Sequence, residues 1–340
     1  MDIFPNFFVD SPRNLPEKFV GFLCKICYTL LQRLCAAKGG SRMAAWTAQA
    51  VQTPRGPGIF LAGLTDFDLK ATFTCGQAFR WRPLPEGGWR GVALGKACEI
   101  AQWQGGVVLW GSSMEEFQRL WRPYFDLDRD YAAIRAQLAR DPVFARAAAY
   151  APGIRVLRQE PWEALCSFIV SQNNHIPRIQ WILDQLCRQF GRPLGGDCFA
   201  FPAPQALAGR TEAELAGLRA GYRARYLLDA AQKVAGGQVD LDLAARLPLP
   251  EARAELMRIL GVGRKVADCA LLYGCGRLEC FPADVWVKRA LSQLFPRGLP
   301  EWIAPYGGIA QQYLFHYVRT CPGALPQLGR PEKRKGGEKQ

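Results

Sequence analysis

The strongest constraint on the fold is a change in hydrophobic periodicity part-way along the chain. Between Gly58 and Gly111, apolar and aromatic residues come in short runs of strand character: Gln77–Trp81, Trp89–Leu94, Ala97–Trp103 and Val107–Trp110. Pro85-Glu86-Gly87-Gly88 and Gln104-Gly105-Gly106 separate them as turn signals, so the segment predicts an antiparallel sheet, with a helix near Ser113–Trp121. From about Asp130 onward, alanine, leucine and arginine recur at helical spacing and the alternation stops. A chain that segregates its strands from its helices in this way is of the α+β class, and 340 residues suit two or so domains. The boundaries read as an extension over 1–45, a sheet domain over 46–148, a helical domain over 149–322 and a basic tail over 323–340.

Within the helical part, Pro177 fits the first turn of a helix running to Phe190. Thr211-Glu212-Ala213-Glu214 has the form of a capping box. No internal repeat is present. Lys and Arg (43) exceed Asp and Glu (30), a net charge of +13 that favours a polyanionic partner, nucleic acid before an anionic membrane. The 12 cysteines are scattered through apolar runs, and Cys24-Lys25-Ile26-Cys27 is the only paired spacing. With two histidines in the chain, neither a structural zinc site nor a His-rich centre is expected, and the thiols read as reduced core filler. The apolar stretch from Phe19 to Cys35 carries Lys25 and Arg33 and is too short for a membrane span. Lys38-Gly39-Gly40-Ser41-Arg42 then reads as a link before Met43. Either Met43 is the true start, or residues 1–42 form an amphipathic appendage.

The chemistry concentrates around Ile259-Leu260-Gly261-Val262-Gly263-Arg264-Lys265. A helix over Glu251–Ile259 would end at the Gly-Val-Gly turn and another would begin near Arg264. Both glycines are expected at positive φ, exposing backbone N–H groups where a phosphate docks. Lys265, just inside the second helix, is either a solvent-facing cation or a desolvated amine able to act as a nucleophile. Asp284, 19 residues on and just before a further helix, is either an ordinary N-cap or an electrostatic partner for a developing sugar cation.

This string resembles the helix–hairpin–helix DNA glycosylase superfamily, and more closely the bacterial-type 8-oxoguanine DNA glycosylase/AP lyase family. Gly76-Gln77-Ala78-Phe79-Arg80-Trp81 is similar to the family's sheet-domain loop, Ser167 through Arg178 to its Asn/Arg segment, and Gly221-Tyr222-Arg223-Ala224-Arg225-Tyr226 to its Tyr-Arg segment. Together they cover roughly residues 58 to 320 in the family's order. The resemblance implies a TBP-like antiparallel sheet domain packed on a helical domain with a helix–hairpin–helix motif. It also implies a damaged base flipped from duplex DNA into the cleft between them.

On that resemblance Lys265 attacks C1′ and forms a Schiff base, and Asp284 steadies the charge. Gly76 reads the N7–H of 8-oxoguanine through its carbonyl. Cys269 and Phe315 sandwich the base and Gln311 bonds its Watson–Crick edge. Asn173 and Tyr222 fill the gap in the duplex, Arg178 and Arg223 bond the stranded cytosine, and Gly261, Val262 and Gly263 grip phosphate. No cofactor or metal is implied. The partner is damaged double-stranded DNA, the protein a monomer of the bacterial cytoplasm associated with the nucleoid, with no membrane role. Two departures stand out. Trp286 occupies the place of a phosphate-contacting histidine, and Leu260 that of a proline. With Cys321 alone in the tail, the iron–sulfur cluster of some relatives is not expected. The rival readings are a monofunctional alkylpurine glycosylase, against which Lys265 argues, and a non-catalytic DNA-binding protein that keeps the grip.

Overall fold

A computed structural model describes residues 46–325. The stretch 19–35, the linker before Met43 and the basic end of the tail therefore lie outside the described residues. The sheet is antiparallel, with six strands: β1 (Thr47–Thr53), β2 (Gly56–Ala62), β3 (Trp81–Pro83), β4 (Trp89–Ala93), β5 (Lys96–Trp103) and β6 (Gly106–Trp110). Their order is β1-β2-β6-β5-β4-β3. In β5, Cys98 and Ile100 are buried while Ala97, Glu99 and Ala101 are less so, the period of two that one covered face requires. β6 is buried throughout and lies between β2 and β5.

Three details differ from the sequence reading. Strand β1 precedes the strand pattern read from Gly58, because Thr47–Thr53 carries little apolar signal. A helix, α1 (Leu69–Thr74), capped by the Asp68 side chain, lies inside the sheet half. Gln77–Trp81 is not a strand: only Trp81 joins β3, and the Gln77 side chain is spent on buried backbone groups. The helix expected near Ser113 does begin there, with the capping box Ser113/Glu116, and widens over Phe117–Trp121. Beneath the sheet, Phe73 stacks on Trp81 at 4.2 Å, and the Trp81 indole donates to the Tyr124 hydroxyl at 2.9 Å.

The longer helices of the second half are α2 (Tyr131–Leu138), α3 (Pro142–Tyr150), α4 (Pro161–Ser171), α5 (Ile176–Phe190), α6 (Arg223–Ala235), α7 (Leu249–Met257), α8 (Arg264–Tyr273), α9 (Val285–Leu294) and α10 (Gly307–Thr320). Pro177 occupies the first turn of α5 as expected. The Thr211/Glu214 bonds form in both directions, yet no α-helix follows. The chain makes a single tight turn over Ala216–Leu218 and leaves it at Arg219 with φ +47°. Helix α4 is buried over Trp162–Val170 and forms the centre of the helical core. Ala71, Cys75 and Phe79 belong to that same core although they come from the sheet half. The loop after α1 is thus built into the helical part of the molecule, which carries Gly76 to the base of α10.

Candidate active site and nucleic-acid interface

The hairpin is assembled from its termini inward. Helix α7 ends at Met257, two residues before the expected end, and the Val262 N–H closes a turn on the Ile259 carbonyl at 3.1 Å. Asp229 on α6 accepts the Leu260 N–H at 2.6 Å and pairs with Lys233 at 2.9 Å; Lys233 in turn donates to the Arg258 carbonyl at 2.7 Å. Only Gly261 has positive φ (+76°), and a Cβ there would lie 2.3 Å from ring carbons of Tyr226. Gly263 departs from expectation: it is extended (φ −96°) and serves as the N-cap of α8 with no side chain over the helix end. The N–H groups of Gly261, Gly263, Arg264 and Lys265 meet no acceptor among the described residues. They add to the positive end of the α8 dipole, an arrangement suited to a phosphate.

Lys265 is the second residue of α8. Its Nζ lies 3.5 Å from Ser171 Oγ and 5.2 Å over the Phe168 ring, so an apolar face and one hydroxyl surround the amine on its α4 side. One turn along α8, Cys269 is 3% exposed. Burial pushes its thiol up to about 11; the Lys265 cation opposes this, and Asp268 and Asp284 add to it. At neutral pH the sulfur is therefore an uncharged, apolar surface. Asp284 caps α9, with Oδ1 accepting the Val287 N–H at 2.9 Å, and it forms no ion pair with Lys265. Both readings of Asp284 thus remain compatible with its place: it is an N-cap, and its charge is felt at Cys269. Trp286 packs half-buried against the helical core.

Across from α8, helix α10 places Gln311, Phe315 and Arg319 on successive turns. A Cβ built on Gly76 (φ +83°) would lie 3.3 Å from Phe315 Cε1 and 3.7 Å from an Arg319 guanidinium nitrogen. The structure therefore brings Gly76 and Phe315 together, and the Arg319 guanidinium also lies over the Phe315 ring at 5.6 Å. The Gly76 carbonyl has no donor among the described residues. Gln311 is 5% exposed and its Oε1 is buried without a partner.

The remaining expected residues form a second group. Asn173 is exposed in the left-handed region (φ +48°), where asparagine is tolerated. Arg223 holds this turn: its Nε donates to the Gln172 carbonyl at 2.7 Å, and one terminal nitrogen bonds both the Gln172 and Asn173 carbonyls. Its guanidinium also covers the Tyr222 ring at 4.5 Å. Tyr222 is 46% exposed, a large apolar side chain facing solvent. Arg178 donates to the Arg219 carbonyl at 2.8 Å and stacks on Trp181. Sequence reasoning missed Phe168, Ser171 and Arg319. Phe168 and Ser171 lie three apart on α4, inside the segment already singled out, and Arg319 follows Phe315 by one helical turn. Helical spacing was the available signal.

Both halves of the chain are similar to known proteins. Residues 59–165 match the family described as 8-oxoguanine DNA glycosylase, N-terminal domain, and residues 166–298 the HhH-GPD superfamily base excision DNA repair protein. The 8-oxoguanine glycosylase/lyase of Clostridium acetobutylicum, solved with duplex DNA carrying cytosine opposite 8-oxoguanine, is 34% identical; the match covers 82% of this chain and 99% of that one, with a TM-score of 0.75. A probable N-glycosylase/DNA lyase of Methanothermobacter thermautotrophicus is 29% identical over 305 residues, 77% of this chain and 96% of that protein. The N-glycosylase/DNA lyase of Saccharomyces cerevisiae is 38% identical over 152 residues, and there the match spans 40% of each protein. The chain belongs to the 8-oxoguanine DNA glycosylase family within the HhH-GPD superfamily of base excision repair proteins.

Proposed function

We propose that the protein is a bifunctional DNA glycosylase and AP lyase that excises 8-oxoguanine opposite cytosine. The observation that carries this reading is a pair of acceptors with nothing to accept: the buried Gln311 Oε1 and the Gly76 carbonyl. A buried unpaired acceptor costs about 1–3 kcal/mol, which an incoming donor relieves. A guanine-type base offers N1–H and N2–H donors on its Watson–Crick edge, and oxidation at C8 adds a donor at N7. Adenine has acceptors at both N1 and N7, and guanine has one at N7, so neither satisfies both protein acceptors. Phe315 beside Gly76, and the neutral Cys269, supply apolar surface for the ring.

Lys265 then acts as the nucleophile. Its neutral amine attacks C1′, the C1′–N9 bond breaks and the base leaves with a proton. Ring opening gives a protonated Schiff base; loss of a C2′ proton expels the 3′ phosphate and nicks the strand. Asp284 offsets the cationic charge that develops at the sugar. The hairpin N–H groups hold a backbone phosphate without reading sequence. Tyr222 and Asn173 occupy the place vacated by the flipped nucleotide, and the guanidinium N–H groups that Arg178 and Arg223 do not spend on the Arg219, Ala220, Gln172 and Asn173 carbonyls are the donors for the estranged cytosine.

The test is borohydride trapping on a duplex with one 8-oxoguanine opposite cytosine. The parent gives a covalent adduct, and Lys265→Gln gives none while base release falls on the order of 10³-fold or more. Tight duplex binding without adduct or base release in the parent makes the protein a non-catalytic DNA binder. Base release without adduct makes it a monofunctional glycosylase.

A further inference from the structure

Gly76 lies between two peptide groups that are both held from outside their own loop. On one side the Cys75 carbonyl accepts from Gln312 Nε2 at 3.0 Å. On the other the Gln77 carbonyl accepts from Gln159 Nε2 at 2.7 Å. Both arms meet at Tyr273, whose hydroxyl donates to Gln312 Oε1 at 2.5 Å and whose backbone carbonyl accepts the Gln159 N–H at 2.7 Å. Gln312, Tyr273 and Gln159 are 1%, 3% and 7% exposed. Burial drives the Tyr273 phenol well above its usual value, so it remains a neutral donor.

Tyr273 is also the last residue of α8, the helix that carries Lys265. Its ring stacks on Phe168 at 5.2 Å with 16° between planes, and the Lys265 amine lies over that same Phe168 ring. One buried residue is thus tied at once to both flanks of Gly76 and to the surroundings of the nucleophile.

We propose that Gln312, Gln159 and Tyr273 are positioning residues that fix the Gly76 carbonyl relative to Lys265 and thereby set the preference for 8-oxoguanine over guanine. This rests on the reading above that Gly76 meets N7. The two bases present opposite hydrogen-bonding groups there: a carbonyl attracts the N7–H of one and repels the N7 lone pair of the other. Both effects fall steeply as distance and angle drift, so the ratio depends on how tightly the carbonyl is held. Neutral amide bonds do this at no cost in charge. In a water-poor interior they are stronger than at the surface.

The experiment compares the parent with Gln312→Met and Tyr273→Phe in three single-turnover assays: release of 8-oxoguanine, release of guanine from the same duplex, and cleavage at a preformed abasic site. Abasic cleavage uses Lys265 but needs no base recognition. In Gln312→Met the ratio of 8-oxoguanine to guanine release falls about tenfold or more while abasic cleavage stays within about twofold of the parent. Tyr273→Phe keeps the ring stack, removes one donor and gives a smaller fall in the ratio. An unchanged ratio in both variants overturns the inference. So does abasic cleavage that drops in step with base release, because the residues would then serve folding alone. A parent that releases no 8-oxoguanine overturns the reading of Gly76 and the clamp with it.

Discussion

The two glycine turns that frame the site, at Gly76 and at Gly261, are held in opposite ways. The Gly76 loop is pinned from distant parts of the chain: Gln312 reaches Cys75 across 237 residues and Gln159 reaches Gln77 across 82, and every bond is buried. The hairpin is pinned from one neighbouring helix, through Asp229 and Lys233, and it leaves the N–H groups of Gly261, Gly263, Arg264 and Lys265 without an acceptor among the described residues. A loop that must tell two bases apart needs its carbonyl fixed in three dimensions. A loop that grips phosphate needs donors left free, because phosphate is the same at every step of the duplex. On the proposed roles, rigidity and openness are thus distributed according to what each turn would recognise.

Substituting the two glycines separates these duties. Gly261→Ala has the larger effect. The new methyl would fall 2.3 Å from the Tyr226 ring at φ +76°, so both strain and overlap must be relieved. A loss of about 2–4 kcal/mol of stability is expected. Affinity for undamaged and damaged duplex falls together, read by thermal melting and duplex titration. Gly76→Ala is milder in packing, since the nearest atom is Phe315 Cε1 at 3.3 Å, although φ +83° remains unfavourable. A cost of about 1–2 kcal/mol is expected. Release of 8-oxoguanine falls roughly 10–100-fold, while affinity for undamaged duplex stays within twofold. If the Gly76 variant also lost undamaged duplex, the two turns would not be functionally distinct.

The same contrast governs what the sequence discloses. The hairpin is legible because its parts are contiguous: two helical runs, a Gly-Val-Gly turn, a lysine just inside the second helix and an aspartate at the next N-cap. Positive φ at Gly263 is misread because glycine also serves as a bare N-cap. Pro177 marked a helix start for a similarly local reason. The clamp around Gly76 has no local signature. Gln312 sits among the buried residues of α10 with nothing in its spacing to separate it from Gln311, yet both polar side-chain atoms of Gln312 have a partner and Gln311 Oε1 has none. Gln77 read as a strand residue because its neighbours are aromatic, whereas its amide replaces a ladder with bonds to Thr72, Arg155 and Leu157. The Thr211 box misled in the other direction. Its bonds are real, but the left-handed Arg219 ends the turn before a helix can propagate.

Each glycine turn has a buried cysteine in its supporting structure, and their titration sharpens the comparison with the smallest expected effect. Cys75, beside Gly76, is pushed from 9.0 up to about 12, chiefly by burial. Cys269, on the helix that follows the hairpin, rises only to about 11 because the Lys265 cation opposes burial. In both cases the folded protein holds the thiol proton to higher pH than the unfolded chain does. Their contribution to stability is therefore complete below pH 9 and is lost as pH rises from there toward 11 for Cys269 and 12 for Cys75. Melting temperature should fall less steeply across that window in Cys75→Ala and in Cys269→Ala than in the parent.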